Sequence, residues 1–300
     1  MNILIIGSKG FIGNLAYHFF KQQGFNVNGV DVLNDNTDED YNKLDSSNPN
    51  FDAIFSQKSF DVCINCSGAA SVSLSLENPL NDFNLNTLNV FKILNSIKLY
   101  NPSCKFINIS SAAVYGNPDS LPINENSVLK PLSPYGIHKL QAEQICKEFN
   151  EFFGLNTCSI RIFSAYGNGL KKQIFWDLYN KFSVNSTVEL FGTGYETRDF
   201  IHVEDVINAI FLVVKNSSFN ADVINIANGE EYSIKTITDL FKKCLNSKNN
   251  IQFNNIVKPG DPLNWKADIS KLKAMGYKPT VTLEEGILSY VSWVKGLDNH

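Results

Sequence analysis

This 300-residue chain has no long hydrophobic run, no basic tract, no cysteine framework and no internal repeat, and each absence narrows what it can be. The apolar stretch Asn2-Ile3-Leu4-Ile5-Ile6 falls far short of the ~20 residues a spanning helix needs. It runs straight into a glycine-rich turn with no cleavage-like sequel, so it reads as a buried strand and not a signal peptide. Lys171-Lys172 and Lys242-Lys243 are isolated pairs in a chain of formal charge -4, which argues against a nucleic-acid partner. A membrane partner is not expected either.

The six cysteines show no framework spacing. Cys63 and Cys66 form a CxxC inside the strand-like run Val62 to Cys66, where positions three apart point to opposite faces. They are expected as buried free thiols and not as a redox pair or metal site, in keeping with a reducing cytoplasm. No residue set reads as a metal centre.

What is present is an enzyme-like composition, 43% apolar and 19% charged, sized for one large domain or two closely joined ones. Strands are expected at 2–6, 26–31, 61–66, 104–110 and 156–162, with helices at 11–23, 80–100 and 135–153 between them. Near-continuous apolar strands separated by helices predict an α/β fold, a doubly wound parallel sheet of Rossmann type. The polar segment Leu33 to Asn50 reads as a loop with at most a short strand at Tyr41 to Asp45. Beyond Tyr166 the alternation becomes irregular. Helix-like Lys172 to Phe182, strand-like Thr187 to Phe191 and Val223 to Ala227, the strand end and helix at Ile201 to Lys215, and a final helix at Leu283 to Gly296 suggest a smaller, discontinuous α/β substrate-binding lobe. The expected division is 1–166 with returning segments at about 201–227, against 167–200 and 228–300.

Gly7-Ser8-Lys9-Gly10-Phe11-Ile12-Gly13 follows the first strand and opens a helix. Such a turn lets a pyrophosphate approach the backbone and meet free N–H groups at a helix amino terminus. Asp31, 18 residues after Gly13, ends the second strand where a carboxylate accepts from the adenosine ribose and repels a 2′-phosphate. NAD is therefore expected rather than NADP. Lys9 reads as a solvated loop lysine.

Tyr135 and Lys139 are four residues apart on one helix and share a face. Ser110-Ser111-Ala112-Ala113-Val114-Tyr115-Gly116 stands where a strand ends. A phenol with a pKa near 10 is a poor base at pH 7, and lowering it by roughly three units takes about 4 kcal/mol. Lys139 and the nicotinamide charge are the expected sources. The roles that follow are Tyr135 as proton acceptor, Ser111 as hydrogen-bond donor to the reacting oxygen, and Lys139 as tuner of Tyr135 and grip on the nicotinamide ribose.

On these segments, together with Ser67-Gly68-Ala69, Arg161 to Gly167, Arg198-Asp199-Phe200-Ile201-His202-Val203 and Lys258 to Asp261, the chain resembles the extended short-chain dehydrogenase/reductases of the sugar-nucleotide branch that includes UDP-glucose 4-epimerases. The resemblance implies that Cys66, Ser67 and Gly68 line the cofactor, that Asn86 contacts it, that Phe163 backs the nicotinamide and that Asp45 stands near the adenine. It further implies that Arg198 and Lys258 meet the substrate diphosphate, which needs cationic partners. Relatives usually carry arginine at the position of Lys258, and a lysine is a point charge, not a fork. Ser164 stands where many relatives carry asparagine. Leu170 to Tyr179, with Trp176, is expected either to wall the substrate or simply to pack.

Dehydratase relatives carry an acidic pair where this chain has Ala112 and Ala113, which exchange no protons. A 4-epimerase of a nucleotide-diphosphate sugar (UDP-glucose/UDP-galactose type) is the favoured reading, with Asp31 in its support. An NAD(P)H-dependent reductase of a 4-keto-6-deoxy sugar nucleotide and a catalytically silent NAD-binding regulator are the alternatives. The helix Pro79 to Tyr100 is apolar nearly all round, so it wants burial on more than one side; a homodimer or deep burial within one chain would supply it.

Overall fold

The computed structural model describes residues 1–184, 186–256 and 260–297. In chain order it forms β1 (Asn2–Ile6), α1 (Phe11–Gln22), β2 (Asn26–Asp31), β3 (Tyr41–Lys43), α2 (Phe51–Gln57), β4 (Val62–Asn65), α3 (Val72–Glu77), α4 (Pro79–Phe83), a π-helical turn Asn84–Leu88, α5 (Asn89–Tyr100), β5 (Lys105–Ser111) and a 3₁₀ turn Ala112–Val114. Then come α6 (Pro134–Phe153), β6 (Thr157–Ile162), β7 (Ser164–Tyr166), α7 (Gln173–Val184), β8 (Thr187–Leu190), β9 (Thr197–Arg198), β10 (Phe200–His202), α8 (Val203–Asn216) and β11 (Asn220–Ile226). β12 (Tyr232–Ser233), α9 (Ile234–Leu245), β13 (Asn250–Phe253), α10 (Ser270–Ala274) and α11 (Leu283–Leu297) complete the described chain.

Seven strands make one sheet in the order β11-β6-β5-β4-β1-β2-β3, every neighbouring pair parallel. The chain builds outward from β1 through β2 to β3, then returns to β1's other side with β4. That reversal leaves a crevice at the carboxyl ends of β1 and β4, where this architecture takes its ligand. The expected Rossmann-type sheet is thus present, widened by β11 from the chain's second half.

Period-two alternation explains the two cores that cover it. Ile3 and Ile5 enter one apolar cluster with Phe20, Ile107 and Ile210, while Leu4 and Ile6 enter the other with Phe55, Ile93 and Phe149. Cys63 belongs to the second cluster and Cys66 packs on the first, so the CxxC does lie across the sheet. Both are free thiols, Cys63 buried and Cys66 half-buried. A third cluster, including Phe175, Leu178, Phe241 and Tyr290, gathers residues from α7, α9 and α11 away from the main sheet. Phe175 and Tyr179 are buried there and Trp176 leans on it, so packing accounts for Leu170 to Tyr179.

Several elements differ from expectation. The single helix at 80–100 is α4, a π turn and α5, because Asn89 N–H reaches Asn84 O across five residues. The resulting turn buries polar Asp82, Asn86 and Thr87 and leaves Leu80, Leu88 and Phe91 exposed, the reverse of what an all-apolar helix implies. The short helices α2 and α3 and the longer α9 were not expected. All three start on a polar side chain, Asn50, Ser71 and Ser233, that accepts a backbone N–H. Among the described residues no helix is long and apolar enough to cross a membrane.

Candidate active site

The glycine turn works by closeness. Gly7 (φ +80°) faces the end of β4 so tightly that an added Cβ would lie 2.7 Å from the Cys66 carbonyl carbon, and one on Gly13 would overlap the Gly7 carbonyl oxygen. Neither position tolerates a side chain. Gly10 precedes α1 without a side-chain cap, so the amino end of that helix, beginning Phe11-Ile12-Gly13, has no side chain satisfying its N–H groups. Across the crevice Ser67 N and Oγ both donate to Asn65 Oδ1 (3.2 and 2.5 Å), and Gly68 turns at φ +116°.

Asp31 stands at the end of β2 with one oxygen accepting from Lys9 N (2.8 Å) and the other from Val32 N (2.7 Å). Leu33 N is a third donor at 3.4 Å, and a carboxylate has about four acceptor sites, so capacity remains for a ribose hydroxyl. Lys9 is not a free loop lysine: its ammonium is ion-paired to Asp35 and lies 4.8 Å from the Tyr41 ring. Asp45 follows Leu44, whose N–H donates to Asp31 O (2.8 Å), but its own carboxylate is exposed and taken by Ser47 N and Oγ (2.8 and 2.7 Å).

The Tyr135 helix is fixed at both ends. Ser133 Oγ accepts from Gly136 N (3.2 Å), Pro134 opens the first turn, and Gly154 closes the last in the left-handed region. Tyr135 and Lys139 are buried, 9% and 6% exposed, so they are not a solvent-facing pair. Lys139 Nζ lies 5.9 Å from the Tyr135 ring centre and donates to Ile109 O (2.9 Å) on β5. Burial brings the Lys139 ammonium down to about 8, opposed chiefly by Asp82. The Tyr135 phenol stands above, not below, its ordinary value: burial raises it to about 12, the Ser111 hydroxyl pulls it back, and Asp82 pushes it further up. The Lys139 ammonium is directed at the Ile109 carbonyl, not at the phenol.

Asn86, in the π turn, is 1% exposed, and its Oδ1 has no partner. A Cβ on Gly68 would sit 2.5 Å from that oxygen and 3.6 Å from Lys139 Nζ, so the orphan acceptor and the ammonium converge on one point of the cradle. Phe163 is buried edge-on to Trp265 at 5.8 Å, and Ser164 N donates to Asp199 O (3.0 Å). The half-buried Arg198 donates to the carbonyls of Thr197 (2.9 Å) and Leu263 (3.1 Å) and stacks on Trp265 at 5.6 Å. Burial lowers its pKa while Asp261 and Glu196 oppose this, and no described carboxylate reaches ion-pair distance. Lys258 lies outside the described residues. Gly260 itself packs beside Val72 and beside Ser133, the residue that caps α6.

Glu143 and Arg161 form a buried network that motif reading alone did not assign. Arg161 donates to both Glu143 oxygens (2.9 and 2.7 Å) and to Tyr115 Oη (2.9 Å), while Ser110 Oγ donates to Glu143 (2.5 Å). Asp82 and His138 are a second unanticipated pair. The four-residue spacing of Asp82 and Asn86, one helical turn, was the available signal.

The comparisons with known proteins agree with this geometry. The family model for the NAD dependent epimerase/dehydratase family matches residues 3–227. The chain belongs to that family and is an NAD-dependent enzyme of the extended short-chain dehydrogenase/reductase type. It is 28% identical over 303 residues to a putative UDP-glucose 4-epimerase of Methanocaldococcus jannaschii, covering 98% of each chain. It is also 28% identical over 313 residues to a UDP-glucuronate 4-epimerase of Thermodesulfobacterium geofontis, covering 97% of this chain and 95% of the relative. Among solved structures, the UDP-glucuronic acid 4-epimerase of Bacillus cereus with UDP-glucuronic acid and NAD superposes with TM-score 0.89 at 27% identity, covering 99% of this chain and 100% of that one. The glycine cradle that no Cβ could share, the partnerless Asn86 oxygen and the carboxylate ending β2 all fit a dinucleotide.

Proposed function

We propose that this chain is a 4-epimerase of a nucleotide-diphosphate sugar. The observation that carries the reading is the meeting of Ser111, Tyr135 and Lys139 on β5 and α6, with Lys139 Nζ close to Gly68. The reading assigns Gly7, Gly10, Phe11, Ile12, Gly13, Cys66, Ser67 and Gly68 to the cofactor. NAD supplies hydride transfer when bound. In this reading Asp31 holds the adenosine ribose, Asn86 and Lys139 the nicotinamide side, and Phe163 packs behind it. The same reading assigns Asp45 to the adenine.

Tyr135 moves the proton of the sugar C4 hydroxyl and Ser111 holds that oxygen. In the chain itself burial raises the phenol, and the positive charge of a bound nicotinamide would act in the opposite direction. Arg198, with no carboxylate partner of its own among the described residues, is suited to the diphosphate, and the same reading assigns Ser164 and Lys258 to the substrate. Ala112 is wholly buried and carries no acid, which supports epimerase over dehydratase chemistry.

The reductase alternative commonly draws on NADPH, and Lys9, paired to Asp35, is not free to meet a 2′-phosphate. Exposed Leu80, Leu88, Phe91 and Ile137 support a homodimer through the α4–α5 segment and α6. Free cysteines support a cytoplasmic setting. The division into a 1–166 cofactor domain with 201–227, and a substrate lobe from the remainder, is supported by the separate third core. The test is incubation with UDP-glucose, UDP-glucuronic acid and their N-acetyl relatives without added cofactor. C4 epimers are expected; no product across UDP, dTDP and GDP sugars would count against the proposal, and NADPH consumption with a 4-keto-6-deoxy sugar nucleotide would favour the reductase.

A further inference from the structure

Asp82 belongs to none of the segments that carry the resemblance, yet it is 2% exposed and lies against the helix of Tyr135 and Lys139. One of its oxygens meets His138 Nδ1 at 2.6 Å, and the other accepts from Asn86 Nδ2 at 3.1 Å. The His138 ring is held in turn by an edge contact with Phe83 at 5.5 Å, and its backbone carbonyl accepts from Thr87 Oγ1 at 3.0 Å. An ionised carboxylate can only accept, so the Asn86 atom facing it must be the amide nitrogen. The amide oxygen is thereby turned the other way, to the position between Gly68 and Lys139 where it has no protein partner. A buried acceptor left without a partner is costly, so a donor supplied from outside the chain would be favoured at this position.

We propose that Asp82 is a positioning residue: gripped by His138, it sets the Asn86 amide so that its oxygen faces the cofactor cradle and accepts from a hydroxyl of the bound dinucleotide. The proposal rests on the reading that Asn86 contacts the cofactor. Asp82 also heads the groups that keep the buried Lys139 charged, so the same carboxylate serves both residues that converge at Gly68.

The test is calorimetric titration of NAD into the full chain, with thermal melting of the same samples. Asp82→Asn offers Asn86 a donor as well as an acceptor, frees the amide to flip, and is expected to weaken NAD binding about tenfold. Combining Asp82→Asn with Asn86→Asp restores a donor–acceptor pair with an acceptor still facing the cradle, and is expected to recover binding to within about threefold. A purely structural Asp82 would lower the melting temperature and leave the affinity of the folded protein unchanged. NAD affinity unaltered in Asp82→Asn, with Asn86→Ala weakened, overturns the proposal alone. Asn86→Ala binding NAD like the parent overturns the underlying reading and the proposal with it. Should Asp82→Asn fail to fold, His138→Gln decides: weakened NAD binding supports the clamp, and unchanged binding overturns it.

Discussion

Glu143 grips Arg161 through two hydrogen bonds, 2.9 and 2.7 Å, with both side chains buried at 6% and 4% exposure. Pairing with Glu143 keeps the Arg161 guanidinium charged although burial opposes it. Because Glu143 sits one turn beyond Lys139 on α6 and also takes Ser110 Oγ, the pair ties the end of β5, and so Ser111, to the helix of Tyr135. Removing one partner would leave a buried charge uncompensated, a loss of about 3–5 kcal/mol. Glu143→Gln is expected to lower unfolding free energy by that order in urea titrations, and kcat to fall with the geometry.

Lys139 is held at a cost. Its folded pKa of about 8 lies below the ordinary lysine value, so the unfolded chain binds the extra proton between those two points. The burial penalty is full below about 8, and stability gained from relieving it appears as pH rises above 8. Lys139→Met is therefore expected to stabilise the fold by up to about 3 kcal/mol at pH 7, an advantage that fades toward pH 10, while turnover is lost. Melting curves across pH 7–10 check the sign.

The glycines differ in what they must avoid. A methyl at Gly13 would overlap the Gly7 carbonyl oxygen, whereas one at Gly24 meets nothing within 4 Å although its φ is +79°. Gly24→Ala is expected to cost only about 1–2 kcal/mol of backbone strain and leave NAD binding intact. Gly13→Ala should abolish NAD binding, measured by calorimetry, because the turn itself must move.

Much of this site could be read in advance from local chemistry. The Gly7 to Gly13 turn, Asp31 and the one-face spacing of Tyr135 with Lys139 each follow from rules acting over a few residues, and the parallel sheet follows from its apolar strands. What escaped depends on contacts between distant segments. Glu143 meets Arg161 only once α6 lies on β6, and Lys9 meets Asp35 only once the loop after β2 folds back. The π turn escaped because one widened helical turn reverses which side chains are buried, so apolar Leu88 is exposed and polar Asn86 buried. The hold on Lys139 escaped for a related reason: spacing placed it beside Tyr135 but did not reveal the Ile109 carbonyl that takes its ammonium.

Cofactor choice follows from the Lys9 pairing. Asp31→Ala together with Asp35→Ala removes two carboxylates, the second of which frees the Lys9 ammonium at the end proposed for the adenosine. The double variant is expected to narrow the preference for NAD over NADP by about tenfold or more, read from the two dissociation constants.

The most direct measurement follows the nucleotide sugar by proton NMR in D₂O, with the protein as purified and with Tyr135→Phe. The expected result is a C4 epimer that keeps its original hydrogen at C4, since hydride leaves and returns without exchange. Tyr135→Phe should bind NAD normally and turn over at least 100-fold more slowly, within the range general acid–base catalysis supplies, about 10²–10⁴. Deuterium at C4 of the product, or unchanged turnover in Tyr135→Phe, would contradict proton transfer through Tyr135 coupled to hydride transfer at that carbon.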